Sequence, residues 1–351
     1  MVMKKIDSII FTGVIKKIPN CGVSMKNKLF IERFQEVYRK VWVVGLNKES
    51  WHLYLLPMRI IQLITMAFIH YRAIIVVSSN SWESNIIIRT LQLFGLSNRI
   101  HFFVVGGVFH NYLGFRYSIS AYKKLKAIYT QSPKMVKVMN EKGLKNVMFV
   151  PNSKRIDHYP PIKLRDSQEC LKFVFLSRIH PDKGCQQIIE CSKLLNKKGL
   201  TSKFSVAFYG TIFHDYEKAF LESIENIENV NYKGYLDLTT KAGYDELSKY
   251  DVMLFPTYWH GEGFPGVVID AYIAGLPIVA SDWNFNADVV TSETGIIIPS
   301  KNQEELLKEM QIFIEGGYNL AEMKIRCQQI AHQYDNRNVL SEDCLKKMGM
   351  L

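Results

Sequence analysis

Two cations and two carboxylates are the residues of this chain whose types and spacing could do chemistry. Arg178 and Lys183 lie five residues apart in Ser177-Arg178-Ile179-His180-Pro181-Asp182-Lys183-Gly184, directly after the apolar run Lys172 to Leu176. A guanidinium is a planar fork and an ammonium a point charge, so the two on one loop can grip a diphosphate. Glu262 and Asp270 stand around the glycine-rich turn Gly261-Glu262-Gly263-Phe264-Pro265-Gly266. Carboxylates accept hydrogen bonds from vicinal hydroxyls such as a sugar or a ribose offers. Their spacing and phosphate-binding surroundings suit recognition rather than the water activation of a hydrolase pair.

The turn is also a literal G-x-G-x-x-G, with Asp282 sixteen residues beyond its last glycine, as a nicotinamide site would have it. That fingerprint normally opens its domain, with the first glycine close behind a strand. Here Thr257-Tyr258-Trp259-His260 intervene, the turn comes late, and Glu262 would sit idle beside a pyrophosphate. A helix beginning at Pro265 or Gly266 instead offers free N–H groups to an anion, and the glycines let a ligand approach the backbone. No D-x-D occurs anywhere, so the usual carboxylate cradle for a metal-bound nucleotide sugar is missing. The reading is therefore a diphosphate neutralised by protein cations, with no metal and no cofactor.

The elements that must position these groups are short β-branched runs alternating with helical patterns. In the first half they are Ser8 to Phe11, Val41 to Val44, Ala73 to Val77, His101 to Val105, Ala127 to Thr130 and Val147 to Val150. A polar, proline-bearing stretch from Pro151 to Pro161 reads as a linker. The second series is Lys172 to Leu176, Ser205 to Tyr209, Val230 to Tyr232, Val252 to Phe255, Pro277 to Ala280 and Gly295 to Ile298. This is the βαβ rhythm of parallel sheets covered on both faces. The expected fold is α/β, two doubly wound domains at 1–165 and 166–330, with a helical segment at 331–351. A ligand belongs where the carboxyl ends of such strands meet.

Composition narrows the classes further. With 351 residues and a 48% apolar share, each domain can build a real core. The opening Met1 to Asp7 imitates a basic n-region, but Asp7 interrupts the apolar run, and the stretch reads as part of a first buried strand. Six cysteines, among them Cys21, lack any C-x-x-C pairing, which argues against zinc and against a disulfide framework. The greasy segment Ile60 to Ile69, between Arg59 and Arg72, is too short for the ~20 residues of a membrane span and is expected to be a core helix. The net charge of +11 hides a split: residues 1–165 hold 26 Lys/Arg against 7 Asp/Glu, a local +19, and the remainder carries −8. A basic half suits nucleic acid, an anionic membrane or a phosphorylated substrate.

Taken together, Ser177-Arg178 through Lys183-Gly184, Glu262 through Gly266 with Asp270-Ala271, and Ala274-Gly275-Leu276-Pro277-Ile278-Val279-Ala280 resemble the retaining glycosyltransferases of family 4. In the first half, Gly22 with Lys26-Asn27 is similar to the family's glycine loop and opening helix. Gly106-Gly107 resembles an acceptor-side loop of polysaccharide-building members. The resemblance implies the GT-B fold, two Rossmann-like domains facing a central cleft, an acceptor-binding first domain and a donor-binding second. It implies transfer of a hexose-type sugar from a nucleotide diphosphate sugar to a saccharide, often lipid-linked, acceptor in surface polysaccharide assembly of the capsule or O-antigen kind.

By the same resemblance, Arg178 and Lys183 hold the departing diphosphate and Glu262 contacts the donor sugar. The backbone of Gly263, Phe264, Pro265 and Gly266 approaches sugar and phosphate, with Gly22 also on the donor side. Asp270 takes the ribose, Tyr235 and Leu236 line the base pocket, and Gly107 and His110 face the acceptor. Two departures stand out: the second acid is Asp270 where the family has Glu, and the glycine pair is reduced to Gly22. The segment Ile325 to Leu351 is helical in pattern and by resemblance crosses back onto the first domain.

Smaller signals weigh less. Trp259 and His260 flank the donor loop and read as packing at least as well as pocket, and Asn152 resembles a hinge residue. The basic half suits a peripheral position on the cytoplasmic face of an anionic membrane, with Lys16, Lys17, Lys26, Lys28, Lys123, Lys124 and Lys126 as candidate contacts. A nucleic-acid binder lacks a reading helix or aromatic-basic alternation. The rival readings are a sugar-nucleotide epimerase of the same architecture and an inactive nucleotide-sugar or polysaccharide binder.

Overall fold

The computed structural model describes residues 8–16, 22–46, 55–79, 82–166 and 169–351. Met1 to Asp7, Lys17 and Cys21 lie outside the described residues. The chain divides into two compact units, one of residues 1–155 with 334–351 and the other of residues 156–333. The division thus falls within the proline-bearing stretch, at Arg155, and returns at Tyr334.

The first unit runs β1 (Ser8–Gly13), α1 (Gly22–Val37), β2 (Lys40–Gly45), α2 (Leu55–Ile69), β3 (Ile74–Ser78), α3 (Trp82–Leu93), β4 (Ile100–Phe103), α4 (Phe109–Tyr112), α5 (Ile119–Lys123), β5 (Ala127–Thr130), α6 (Pro133–Glu141) and β6 (Val147–Phe149). Its six strands form a parallel sheet in the order β2-β1-β3-β4-β5-β6. The second unit runs β7 (Leu171–Leu176), α7 (Cys185–Lys197), β8 (Phe204–Tyr209), α8 (Glu217–Ile224), β9 (Val230–Tyr232), α9 (Lys241–Leu247), β10 (Val252–Phe255), α10 (Gly266–Ile273), β11 (Ile278–Ser281), β12 (Gly295–Ile298), α11 (Gln303–Ile314) and α12 (Leu320–Ala331). Its sheet is again parallel, in the order β12-β11-β10-β7-β8-β9.

Each of the twelve runs read as strands contains a strand, because a strand buried on both faces needs apolar side chains at every position. β3, β4, β10 and β11 are buried throughout. The second unit's core packs Phe173, Phe175 and Phe208 of the sheet against Ile188, Ile189, Leu306 and Met310 of α7 and α11. In that sheet the chain builds outward from β7 through β8 to β9, then jumps to β10 on the other side. The reversal opens a crevice at the carboxyl ends of β7 and β10, where open α/β sheets bind ligands.

Three expectations need correction. The segment Ile60 to Ile69 lies within α2, but it is not a core helix: only Leu63 and Ala67 of α2 are buried, and Ile61, Phe68 and Ile69 are exposed. Lys26 does not reach the surface; it is 6% exposed, lies over the Phe30 ring at 5.0 Å, and burial lowers its pKa to about 7. The stretch from Ile325 is not one helix. α12 ends at Ala331, and short helices α13 (Asn336–Val339) and α14 (Glu342–Lys347) follow, restarted by the caps Asp335 and Ser341. These last helices belong to the first unit, where Leu340, Leu345 and Met350 join its core and the Tyr38 hydroxyl donates to the Met350 carbonyl at 2.8 Å.

Candidate donor site

The loop after β7 carries Arg178 and Lys183 on opposite sides of one turn. The His180 ring caps that turn by accepting from the Asp182 N–H at 3.1 Å, and Pro181 opens it. The turn closes on Gly184, whose φ of +79° favours glycine and where a Cβ would stand 2.4 Å from the Pro256 carbonyl oxygen. This close approach joins the β7 loop to the β10 loop. Tyr258 N–H donates to the Asp182 carbonyl at 2.8 Å and reinforces the join.

The β10 loop folds around Trp259. Its carbonyl accepts from the Glu262 N–H at 3.1 Å and from the Trp283 indole at 2.8 Å, and Asn284, at φ 52°, donates to the Glu262 carbonyl at 2.8 Å. The loop is thus held from β11's following segment as well as from β7. α10 then starts at Gly266 with Pro265 as its N-cap, one position later than a proline at the first helical residue.

These two loops bring together Arg178, Lys183 and Glu262. Lys183 is buried and its ammonium pairs with the Glu262 carboxylate. Thr257 donates to the same carboxylate oxygen at 3.3 Å. The Trp259 ring is near both cations, 5.4 Å from the Arg178 guanidinium and 5.7 Å from the Lys183 ammonium, within cation–π range. His180 meets the same ring edge-on at 4.9 Å. Arg178 itself is exposed. Two cations on the loops that lead to α10, one exposed and one held by a carboxylate, form a site shaped for a polyanion beside a hydroxyl-bearing group.

The remaining expected residues fall around this centre to different degrees. Gly263 and Gly266 are partly exposed on the turn, whereas Phe264 and Pro265 are buried beneath it. Asp270 is 2% exposed, on α10, and its Oδ1 accepts from the Tyr244 hydroxyl of α9 at 2.7 Å. Burial and this carboxylate raise the Tyr244 pKa well above its ordinary value. Tyr235 is exposed and Leu236 half-buried in the loop after β9, which is tied to β8 by Gly210 N–H donating to the Gly234 carbonyl at 2.8 Å. Asp282, the acid of the nicotinamide pattern, accepts from the Ser300 N–H at 2.7 Å. Among the described residues no group of acids, His and Cys could hold a metal.

Three residues at this site carried no readable signal of their function: Thr257 on Glu262, Asn284 behind the loop, and Tyr244 on Asp270. Trp259 was visible as an aromatic beside a turn, but only the fold brings both cations to its ring. Gly22, Gly107 and His110 belong to the first unit. Gly22 is exposed at the start of α1, and a Cβ there would meet nothing within 4 Å. His110 follows the Gly106-Gly107 turn on α4, where burial and the nearby Lys142 and Lys134 lower its pKa.

Residues 162–333 match the family model of glycosyl transferases group 1. The match spans nearly the whole of the second unit, which is therefore similar to group 1 glycosyltransferase domains along its length. A curated relative, the capsular polysaccharide biosynthesis glycosyltransferase CapM of Staphylococcus aureus, is 26% identical over 151 residues. That alignment covers 40% of this chain and 36% of the relative, so it spans about a third of the relative's length. Among solved structures, HepE of Anabaena in complex with UDP superposes with a TM-score of 0.70 at 14% identity, covering 98% of this chain and 100% of that one. The sucrose-phosphate synthase of Thermosynechococcus elongatus gives a TM-score of 0.71 at 13% identity over 98% and 97% of the two chains. These likenesses establish the fold, GT-B with two parallel six-stranded sheets. No helix among the described residues is long and apolar enough to cross a membrane.

Proposed function

We propose that the chain is a retaining, family 4-type glycosyltransferase that moves a hexosyl group from a nucleotide diphosphate sugar to a lipid-linked saccharide in surface polysaccharide assembly. The observation that carries this reading is the convergence of Arg178, Lys183 and Glu262 at the amino end of α10, in the crevice where the sheet order reverses. The capsular role of CapM and the UDP bound to HepE support the pathway and the choice of UDP as the first nucleotide to test.

In this account the bond between the sugar's anomeric carbon and the diphosphate oxygen breaks, and the diphosphate leaves with the electron pair. The acceptor oxygen bonds to the same face of the anomeric carbon, and a departing phosphate oxygen takes the hydroxyl proton. Arg178, Lys183 and the first N–H groups of α10 stabilise the negative charge that develops on the leaving group. Glu262 orients the sugar hydroxyls and holds Lys183 in place. Because the sequence offers no D-x-D, these cations take the part of a metal. The first unit, with its excess of positive charge, would hold the acceptor near Gly107 and His110 at the cytoplasmic face of an anionic membrane.

The test is a panel of nucleotide sugars incubated with membrane extract as acceptor and with EDTA present, followed by proton NMR of the product. Transfer with the donor's anomeric configuration kept is the expected result. Donor converted to an epimer without acceptor, or product of inverted configuration, would overturn the reading.

A further inference from the structure

Three consecutive residues of α9, Gly243, Tyr244 and Asp245, each meet a different part of the second unit. A Cβ on Gly243 would collide with the Asp237 carbonyl, so α9 lies directly against the loop that carries Tyr235 and Leu236. Thr240 ties the two together, its hydroxyl accepting from the Gly243 N–H at 3.1 Å and donating to the Asp237 carbonyl at 2.9 Å. The Tyr244 hydroxyl donates to Asp270 Oδ1 on α10, and both side chains are buried. Asp245 Oδ1 meets His158 Nε2 at 2.6 Å.

His158 opens a strap, residues 158–163, that the same unit holds at three further points. The Tyr159 ring packs on the His332 ring at 4.5 Å. The Gln328 amide of α12 donates to the Pro160 carbonyl at 2.7 Å and to the Ile273 carbonyl, at the end of α10, at 3.1 Å. The Lys324 ammonium donates to the Lys163 carbonyl at 2.9 Å. The strap is thus fixed to α10 and α12, and through His158 it holds α9 in register with them.

We propose that Tyr244 is a positioning residue for the nucleoside end of the donor: it orients the Asp270 carboxylate toward the ribose, and the contact of His158 with Asp245 fixes α9 so that the orientation is kept. A carboxylate offers about four acceptor positions, so the Tyr244 bond sets the plane of the group without exhausting it. Asp270 is one methylene shorter than the Glu of the family pattern and is 2% exposed, so it cannot turn freely to meet a ligand. A group already held in its binding orientation spares the ligand that ordering cost. The inference rests on the donor reading, in which Arg178 and Lys183 hold the diphosphate and Asp270 the ribose, and it adds residues that touch neither. Tyr244 and His158 therefore act on the nucleoside end alone.

The experiment is calorimetric titration of the full chain in EDTA. UDP, GDP and ADP identify the nucleotide that binds; that nucleotide, its 2′-deoxy counterpart and inorganic pyrophosphate are then titrated into the wild type, Tyr244→Phe, His158→Ala, His158→Gln and Arg178→Ala. The wild type should prefer the ribonucleotide to the deoxynucleotide at least about fivefold, the effect of one hydrogen bond. Tyr244→Phe should lose most of that preference and at least about fivefold in ribonucleotide affinity, with pyrophosphate binding unchanged. His158→Ala should move both quantities in the same direction, and His158→Gln, which still offers Asp245 a donor, should restore them. Where Tyr244→Phe fails to fold by circular dichroism, the two His158 variants decide. Wild-type binding and preference in Tyr244→Phe, an equal loss for pyrophosphate in that variant, or a His158→Ala protein indistinguishable from the wild type would each overturn the proposal. In those cases an Arg178→Ala protein that loses both nucleotide and pyrophosphate leaves the donor reading standing. A wild type that binds no nucleotide would overturn both.

Discussion

Replacing Lys183 by Met tests whether the donor loops are held by the pair at their centre. The Lys183 and Glu262 side chains are 9% and 12% exposed, and their contact crosses from the β7 loop to the β10 loop. Removing the ammonium leaves the Glu262 carboxylate buried with only the Thr257 hydroxyl, at 3.3 Å, still donating to that oxygen. Breaking a buried pair on one side costs about 3–5 kcal/mol, and the remaining hydrogen bond and partial exposure bring the expectation to about 3 kcal/mol. Removing both charges in Lys183→Met/Glu262→Gln should recover most of it, because no isolated charge is then buried. Arg178→Met, at an exposed site with only the Trp259 ring beside it, should change stability by less than about 0.5 kcal/mol. Urea unfolding of these variants together with Glu262→Gln and the wild type, followed by circular dichroism and indole fluorescence, gives the cycle. A loss below about 1 kcal/mol for Lys183→Met, or strict additivity in the double variant, would refute the argument.

Other consequences are as specific. The folded-state pKa of Lys26 lies near 7, below its ordinary 10.5, so the unfolded chain binds the proton more readily and stability rises as pH climbs between those values. Lys26→Met should therefore stabilise the first unit by about 4 kcal/mol near neutral pH, with the gain fading toward pH 10; a gain independent of pH would contradict this. Lys324, 2% exposed, donates to Asp251 at 3.1 Å and to the carbonyls of Lys163 and Tyr250 at 2.9 and 2.8 Å. Lys324→Met should cost about 3 kcal/mol, with most of the loss recovered in Lys324→Met/Asp251→Asn, as thermal unfolding would report. Gly184→Ala meets both a φ of +79° and the Pro256 oxygen, so a loss of about 2 kcal/mol should accompany weaker UDP binding in calorimetry; an unchanged protein would deny the close approach its importance.

The strands were legible because a parallel sheet buried on both faces leaves uninterrupted β-branched runs, and the donor loops were legible because Arg, Lys, Glu and Gly fell at the ends of those runs. What the sequence hid has physical reasons. α2 carries apolar residues on more than one side, so periodicity reveals a helix but not which of those sides stays in solvent. Lys26 reads as a surface cation: the Phe30 ring one turn along α1 is visible in the sequence, but the burial of the lysine in the folded unit is not. The Tyr244 to Asp270 bond joins residues 26 apart on different helices and leaves no local pattern. The breaks in the final segment did have a signal, since Asp335 and Ser341 are residues that begin helices rather than continue them.

The central claim is that the loops after β7 and β10 bind the diphosphate of a nucleotide sugar through protein cations. Calorimetric titration of UDP, GDP and ADP in EDTA, on the wild type and on Arg178→Ala, tests it most directly. One nucleotide should bind the wild type without metal, and its affinity should fall at least about tenfold in the variant, the loss of one charge-assisted contact. No binding by any of the three, or equal binding by both proteins, would contradict the account.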